Sequence, residues 1–246
     1  MTDFLPKSAV AAASRLIDLV FPRDCACCGE PAGEIMRWFC DACARAMPLT
    51  AGRPCCTSCG LPFEGAICVE RVCPDCADLQ PKWQRGCTLL RYEGPAEDLV
   101  KRIKFCGERC LLGGVTELLR ARPDALDLLR GAIVVPVPLY PGRERGRGFN
   151  QSEWLAQVFA DEAGASCQNL LRRVRDTGTQ TALSREERQK NVKGAFALAK
   201  GARIGAEQKY VLVDDVITTG ATLNACAVAL AKAGATQLAV LTLSHA

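Results

Sequence analysis

Four Cys-x-x-Cys pairs lie between Cys25 and Cys76, and they restrict the N-terminal third of the chain to folds built around metal or sulfur chemistry. The pairs are Cys25/Cys28, Cys40/Cys43, Cys56/Cys59 and Cys73/Cys76, and glycine follows the first and third, at Gly29 and Gly60. Two thiolates two residues apart can face one tetrahedral ion, and the glycine permits a tight turn that aims backbone N–H groups at sulfur. The repeat of Cys-x-x-Cys-Gly predicts two four-cysteine zinc ribbons, with Zn²⁺ holding the fold rather than catalysing. A redox dithiol or an iron–sulfur cluster would use the same ligands, and both stay open at this point. Cys27 and Cys55 adjoin assigned ligands and are alternative donors at their knuckles. Cys68, Cys87, Cys106, Cys110, Cys167 and Cys226 read as small buried residues. Losing a ligand such as Cys28 or Cys59 is expected to unfold this third and spare the rest.

Eleven of the 16 cysteines fall in this stretch, so it differs in kind from the remainder of the chain. That density, arranged as four Cys-x-x-Cys pairs, points to a reducing cytoplasm and metal rather than to disulfides. The small-residue run at the start is interrupted by Arg15 and Asp18 and lacks a basic leader, which argues against an export signal. Lys7 to Leu19 reads as a short amphipathic helix packing on the ribbons. No run approaches the ~18 apolar residues of a membrane span. The net charge of +4 suits a protein that handles polyanions.

The second informative stretch is Val211 to Thr222, VLVDDVITTGAT. Tyr210 to Val213 has the β-branched character of a buried parallel strand, and from Ala221 the Ala-rich sequence reads as a helix stopped by Gly234. The turn between them joins a strand's carboxyl end to a helix N-terminus, where unpaired N–H groups favour a phosphate. Thr218, Thr219 and Thr222 offer hydroxyls, and Gly220 lets the backbone come close. Asp214 and Asp215 suit sugar hydroxyls or Mg²⁺ instead. The string closely resembles the signature by which type I phosphoribosyltransferases bind 5-phosphoribosyl 1-pyrophosphate (PRPP). The resemblance implies that Asp214 and Asp215 face the ribose 2′ and 3′ hydroxyls, as the catalytic pair, and that Thr218, Thr219, Gly220, Ala221 and Thr222 form the 5′-phosphate loop.

Elsewhere strands and helices alternate after a linker at Leu79 to Arg85. Strands are expected near Cys87 to Tyr92, Ala132 to Val137, Leu170 and Leu238 to Leu243, and helices at Pro95 to Phe105, Leu111 to Arg122 and Asn150 to Ala163. The order indicates an α/β fold with a parallel sheet flanked by helices, whose ligands sit beyond the strands' carboxyl ends. Two further segments would reach that edge. Arg143, Arg145 and Arg147 stand among glycines before Asn150, which caps a helix, and guanidinium groups suit a pyrophosphate. Residues 172–196 form a long basic stretch that reads as a lid over an anionic ligand.

Taken together, the double ribbon, LVKRIKFCGE, PVPL…RGFNQSEWLA, the Q…L…R…N…GAF stretch and VLVDDVITTGAT resemble the ComF family of phosphoribosyltransferase-like competence proteins. The resemblance runs from about Val20 to the end. It implies a type I phosphoribosyltransferase-like domain at residues 86–246 after an N-terminal helix (1–22) and a double zinc ribbon (23–80). It places Arg147, Asn150 and Gln151 in a ligand-binding RGFNQ motif, and Gln180, Arg188 and Asn191 in the lid. It also implies a cytoplasmic protein that handles single-stranded DNA in natural transformation, with Mg²⁺ accompanying PRPP.

Three roles are compatible with these features. The chain is a transferase in which Mg²⁺ and arginines hold departing pyrophosphate, a PRPP- or nucleotide-sensing module that binds DNA, or a platform for a helicase-like partner. The lone histidine, His245, reads as a solvated tail residue, which disfavours a histidine base. Trp38, Phe39, Trp83 and Phe105 are candidate base-stacking groups beside Lys101, Arg102, Lys104 and Arg109, on a surface expected to be separate from the PRPP site.

Overall fold

The computed structural model describes residues 23–63, 71–178 and 185–246. The Lys7–Leu19 helix, Cys68 and Gln180 fall outside them. Five strands, β1 (Arg85–Arg91), β2 (Ala132–Pro136), β3 (Ser166–Cys167), β6 (Lys209–Ile217) and β7 (Gln237–His245), form one sheet in the order β1-β7-β6-β2-β3. Every pairing in it is parallel. Two more strands, β4 (Leu171–Arg173) and β5 (Phe196–Leu198), pair antiparallel apart from the sheet. They flank a helix over Arg185–Val192.

The central strands are apolar because both faces are covered. Val134, Val211, Val213 and Leu241 point into one core, and their alternating neighbours Val135, Tyr210, Leu212 and Val240 into the other. The first core is filled by α3 (Pro95–Lys101), α4 (Leu112–Arg120), α5 (Pro123–Leu129) and α7 (Gln151–Ala163), through Leu99, Val115, Leu129, Leu155 and Phe159. The second takes Leu223, Ala227 and Leu230 of α9 (Ala221–Lys232) together with Leu171 and Phe196. The short helices α1 (Asp41–Ala46) and α2 (Pro74–Leu79) belong to the ribbons, α6 is Pro141–Arg147, and α8 is the Arg185–Val192 helix.

The ribbons are built into these cores. Cys25, Cys27 and Phe39 pack with Leu89 and Leu99 in the first, whereas Cys56, Cys59, Cys73 and Cys76 pack with Leu212, Leu223 and Val240 in the second. The chain between them runs along the edge strand: Arg91 N–H donates to Pro48 O at 2.9 Å, Thr50 N–H to Leu89 O at 3.1 Å, and Gly86 N–H to Thr57 O at 2.9 Å. The ribbon segment thereby covers an edge that would otherwise pair with another chain.

Several elements depart from the expected ones. The Pro95 to Phe105 helix is α-helical only to Lys101, after which Arg102–Cys106 makes a π-helical turn ended by Gly107 at φ 68°. The Leu111 to Arg122 segment is a 3₁₀ turn followed by α4, and α5 is a separate helix opened by Pro123 at its first turn. The arginine- and glycine-rich arm, to which the sequence assigns no element, is helix α6. The short strand expected near Leu170 is divided between β3 in the sheet and β4 outside it.

Candidate functional site

Strand β6 continues through the acidic pair, so Asp214 and Asp215 are strand residues at its carboxyl end and not part of the subsequent turn. They meet the N-terminus of α7. Ser152 Oγ donates to Asp214 Oδ1 at 2.8 Å, and Gln151 Nε2 to Asp215 Oδ2 at 3.4 Å. Asn150 caps α7 by accepting from Ser152 N–H at 3.1 Å, and its Nδ2 donates to Val137 O at 3.1 Å, which fixes the helix start to the end of β2. Arg147 Nη1 donates to Gln151 Oε1 at 2.5 Å. Arg147, Asn150 and Gln151 thus come together with the aspartates, as the sequence pattern leads one to expect.

Lys104 belongs to this site and not to the separate basic surface on which its sequence context places it. Its Nζ lies 2.9 Å from Asp215 Oδ2, delivered by the π-helical turn. The expected separation of a basic DNA surface from the acidic site is therefore wrong at this residue. Lys101, by contrast, is exposed and pairs with Glu97 at 2.8 Å. Burial works against the Lys104 charge, but Asp215 and Asp214 outweigh it and raise its pKa. Asp214 is pushed the other way for a carboxylate, up to about 7, chiefly by burial and then by the adjacent Asp215 charge. Ser152, the other residue the pattern did not single out, is visible in sequence only as the position two past a cap.

Beyond the acids the chain turns through Thr218, Thr219 and Gly220 into α9. A shallow concavity there is lined by Asp214, Thr218, Thr219, Gly220 and Thr222. Thr219 Oγ1 accepts from Ala221 N–H at 3.4 Å, and Gly220 takes φ 71°. Glycine is needed here for a second reason. A Cβ would stand 2.8 Å from Leu79 Cδ2 and 3.5 Å from Trp83, both of which belong to or come just after the second ribbon. From the predicted lid, Arg188 Nη1 donates to Thr218 Oγ1 at 3.3 Å, while Asn191 turns away and donates to Thr177 O at 2.6 Å. Roomier cavities, about 590 Å³ between α8 and α9 and about 510 Å³ beside Arg85 and Lys209, lie away from the acids. A phosphate is held by converging N–H and hydroxyl groups rather than by volume, so the shallower place has the better chemistry.

His245 is not a solvated tail residue. It ends β7, is paired to Arg91 on one side and Ile217 on the other, and is 6% exposed. Burial disfavours its charged form. Among the candidate stacking groups, Phe39 and Trp83 are core residues and Trp38 is half-buried, whereas Phe105 is 67% exposed. Of the cysteines expected to be buried, Cys87 and Cys226 are, Cys167 is half-buried, and Cys106 and Cys110 are exposed.

The eight expected metal ligands form two clusters, Cys25/Cys28/Cys40/Cys43 and Cys56/Cys59/Cys73/Cys76, with each set of sulfurs within 4.8 Å of one another. Cys28 and Cys40 sulfurs are 3.7 Å apart, and those of Cys59 and Cys73 3.8 Å. Tetrahedral Zn–S bonds of about 2.3 Å set neighbouring sulfurs about 3.8 Å apart, so both clusters fit one zinc ion each and are too tight for a multi-iron cluster. Backbone N–H groups face the sulfurs, with Cys43 N–H donating to Cys40 Sγ at 3.4 Å and Cys73 N–H to Cys56 Sγ at 3.2 Å. Cys27 and Cys55 belong to neither cluster; Cys55 Sγ donates to Arg53 O at 3.1 Å instead.

Comparison with known proteins agrees with this layout. The double zinc ribbon domain model matches residues 16–77. The chain is 32% identical over 198 residues to competence protein F of Haemophilus influenzae, covering 78% of this chain and 85% of that protein. It is 34% identical over 229 residues to the DNA utilization protein YhgH of Salmonella typhimurium, covering 90% and 96%. Competence protein ComFC of Streptococcus pneumoniae is 31% identical over 195 residues, covering 73% and 82%. Among solved structures, the glutamine PRPP amidotransferase of B. subtilis overlays 52% of this chain and 27% of its own at 24% identity, with a TM-score of 0.32, a likeness too slight to argue from. No helix among the described residues is long and apolar enough to cross a membrane.

Proposed function

The chain belongs to the family of competence protein F, ComFC and the YhgH DNA utilization proteins, and from that premise we propose that it binds PRPP or a related phosphoribosyl ligand at the carboxyl end of β6. The observation that carries this reading is the junction of two environments on one strand end. A carboxylate pair stands beside Lys104, and a hydroxyl- and glycine-rich helix start comes within five residues. Asp214 and Asp215 would take the ribose hydroxyls or a Mg²⁺ ion, whose hard charge suits carboxylate oxygen. Thr218 to Thr222 would take the 5′-phosphate on N–H groups and hydroxyls, and Arg147 would face pyrophosphate oxygens.

In this reading the ligand couples the protein to the handling of single-stranded DNA in a reducing cytoplasm, directly or through a helicase or other DNA-processing partner. Turnover is a second reading, favoured by the placement of Arg147, which reaches Gln151 beside the acid pair and would hold departing pyrophosphate there. Pyrophosphate release on incubation with PRPP, Mg²⁺ and a panel of bases, nucleosides and oligonucleotides separates the two, because a binding module releases none.

Calorimetry tests the binding itself. Wild-type protein should take up PRPP with Mg²⁺, and Asp214→Ala or Asp215→Ala should each weaken it by about 1.5–3 kcal/mol, the worth of charge-assisted hydrogen bonds. Thr219→Val should act in the same direction through the phosphate. Wild-type affinity in the double aspartate variant would sink the assignment.

A charge-reversal pair tests the geometry. Lys104→Glu adds a third carboxylate beside Asp215 and should abolish PRPP binding, while Lys101→Glu, on the exposed Glu97 pair, should leave it within about twofold. Equal losses in the two variants would show that general charge and not position is being read.

A further inference from the structure

One apolar side chain stands out beside the acids. Phe105 is 67% exposed and belongs to the same π-helical turn as Lys104, so one irregular turn sends an ammonium onto Asp215 and the next side chain outward. Such turns interrupt a helix at a cost and are commonly found at functional sites. Cations and rings surround it. Arg147 lies over it at 5.8 Å and over Phe149 at 5.9 Å. Phe149 in turn stacks on Trp154, with centroids 4.3 Å apart and planes at 11°, while Arg109 lies 5.8 Å over the Trp154 ring. Gly107 permits this closeness, since a Cβ there would come 2.8 Å from the Phe149 ring.

This aromatic and guanidinium cluster is continuous with the acidic site, because the Arg147 that lies over Phe105 also donates to Gln151, whose amide donates to Asp215. An exposed ring flanked by cations binds a planar π-system whose edge carries carbonyl or ring-nitrogen acceptors. Nucleobases have both features.

We propose that Phe105 is a stacking platform for a nucleobase, placed so that the base's own ribose and phosphate reach Asp214, Asp215 and the Thr218–Thr222 loop. The inference rests on the phosphoribosyl reading above and adds the ligand class at its open side. The base belongs either to a free nucleotide or to the 5′ end of a single strand, which present the same base face and 5′-phosphate and differ at the sugar, where a DNA strand lacks the 2′-hydroxyl and carries its 3′ oxygen as an ester.

Calorimetry with Mg²⁺ and three probes, ribose 5-phosphate, guanosine 5′-monophosphate and 5′-phosphorylated tetrathymidylate, tests it. At least one base-bearing probe should bind wild-type protein about 5- to 150-fold more tightly than ribose 5-phosphate, the gain from one stacked base. Phe105→Ala should remove that margin, Phe105→Trp should keep it, and ribose 5-phosphate affinity should be unchanged in both. The probe that loses its margin identifies the source. If neither base-bearing probe exceeds ribose 5-phosphate, or if Phe105→Ala keeps the margin, the platform is overturned while the phosphoribosyl site stands. If a base-bearing probe binds through Phe105 and ribose 5-phosphate does not bind at all, the platform stands and the phosphoribosyl reading falls. If no probe binds, both fall.

Discussion

Cys59→Ser should destabilise the whole protein, and by more than any substitution at the acidic pair. Cys59 is 1% exposed and shares its core with Leu212 of β6, Leu223 of α9 and Val240 of β7. Serine is a poor zinc ligand, so the change leaves three buried thiols without their ion inside that core. Structural zinc sites bind with about 10–16 kcal/mol of apparent free energy, comparable to or larger than the ~5–15 kcal/mol that holds an ordinary domain together. The expectation from sequence, that the ribbon alone would unfold, is therefore revised for the second site, because its ligands are also packing partners of the sheet. Cys28 is exposed, and Cys28→Ser should cost less. Zinc content and thermal unfolding of the two variants check this ranking. Two zinc equivalents in the purified wild type, and a lower, broader melt for Cys59→Ser than for Cys28→Ser, are expected. Equal melts would show that the ribbons are energetically independent of the sheet.

Asp214→Asn should change how stability depends on pH, measured without divalent cation. An unfolded aspartate releases its proton near pH 3.8, whereas Asp214 in the folded protein keeps it to about 7. Between those values the native state binds more protons than the unfolded one, so stability falls as pH rises through that window. The loss is complete above about pH 7 and absent below about pH 4. Asparagine removes it while keeping an oxygen for the Ser152 hydroxyl and the Asp215 N–H. The variant should match wild type near pH 4 and exceed it at pH 8, with an upper bound of about 4 kcal/mol at ~1.4 kcal/mol per pKa unit. Urea melts at pH 5, 6, 7 and 8 report it, and parallel profiles for the two proteins would reject the shift. The gain should come with weaker PRPP binding, since the group whose burial costs stability is the one that would meet the ligand.

The parts of this molecule legible in sequence are those in which local pattern and long-range packing agree. Tyr210 to Gly220 declares itself because a strand buried on both faces has to be apolar, and a helix start has to succeed its charged end. The Cys-x-x-Cys pairs declare themselves because tetrahedral ligation fixes their spacing. Lys104 does not, because its contact with Asp215 spans more than a hundred residues and depends on a π-helical turn with no signature of its own. His245 is misleading for the opposite reason. Closeness to the chain end suggests water, yet the strand that carries it lies between β1 and β6. Gly142 and Gly146 lower helix propensity enough to hide α6.

The closeness of Leu79 and Trp83 to Gly220 means that the ribbon and the Thr218–Thr222 turn are one machined fit, with no spacer between them. Their sequences cannot drift separately: a bulkier residue at position 79 presses on the turn's backbone, and only a compensating change across the seam relieves it. A chimera that transplants the second ribbon of a relative should therefore lose phosphoribosyl binding unless residues 217–221 travel with it, even when both halves fold and both ions are present.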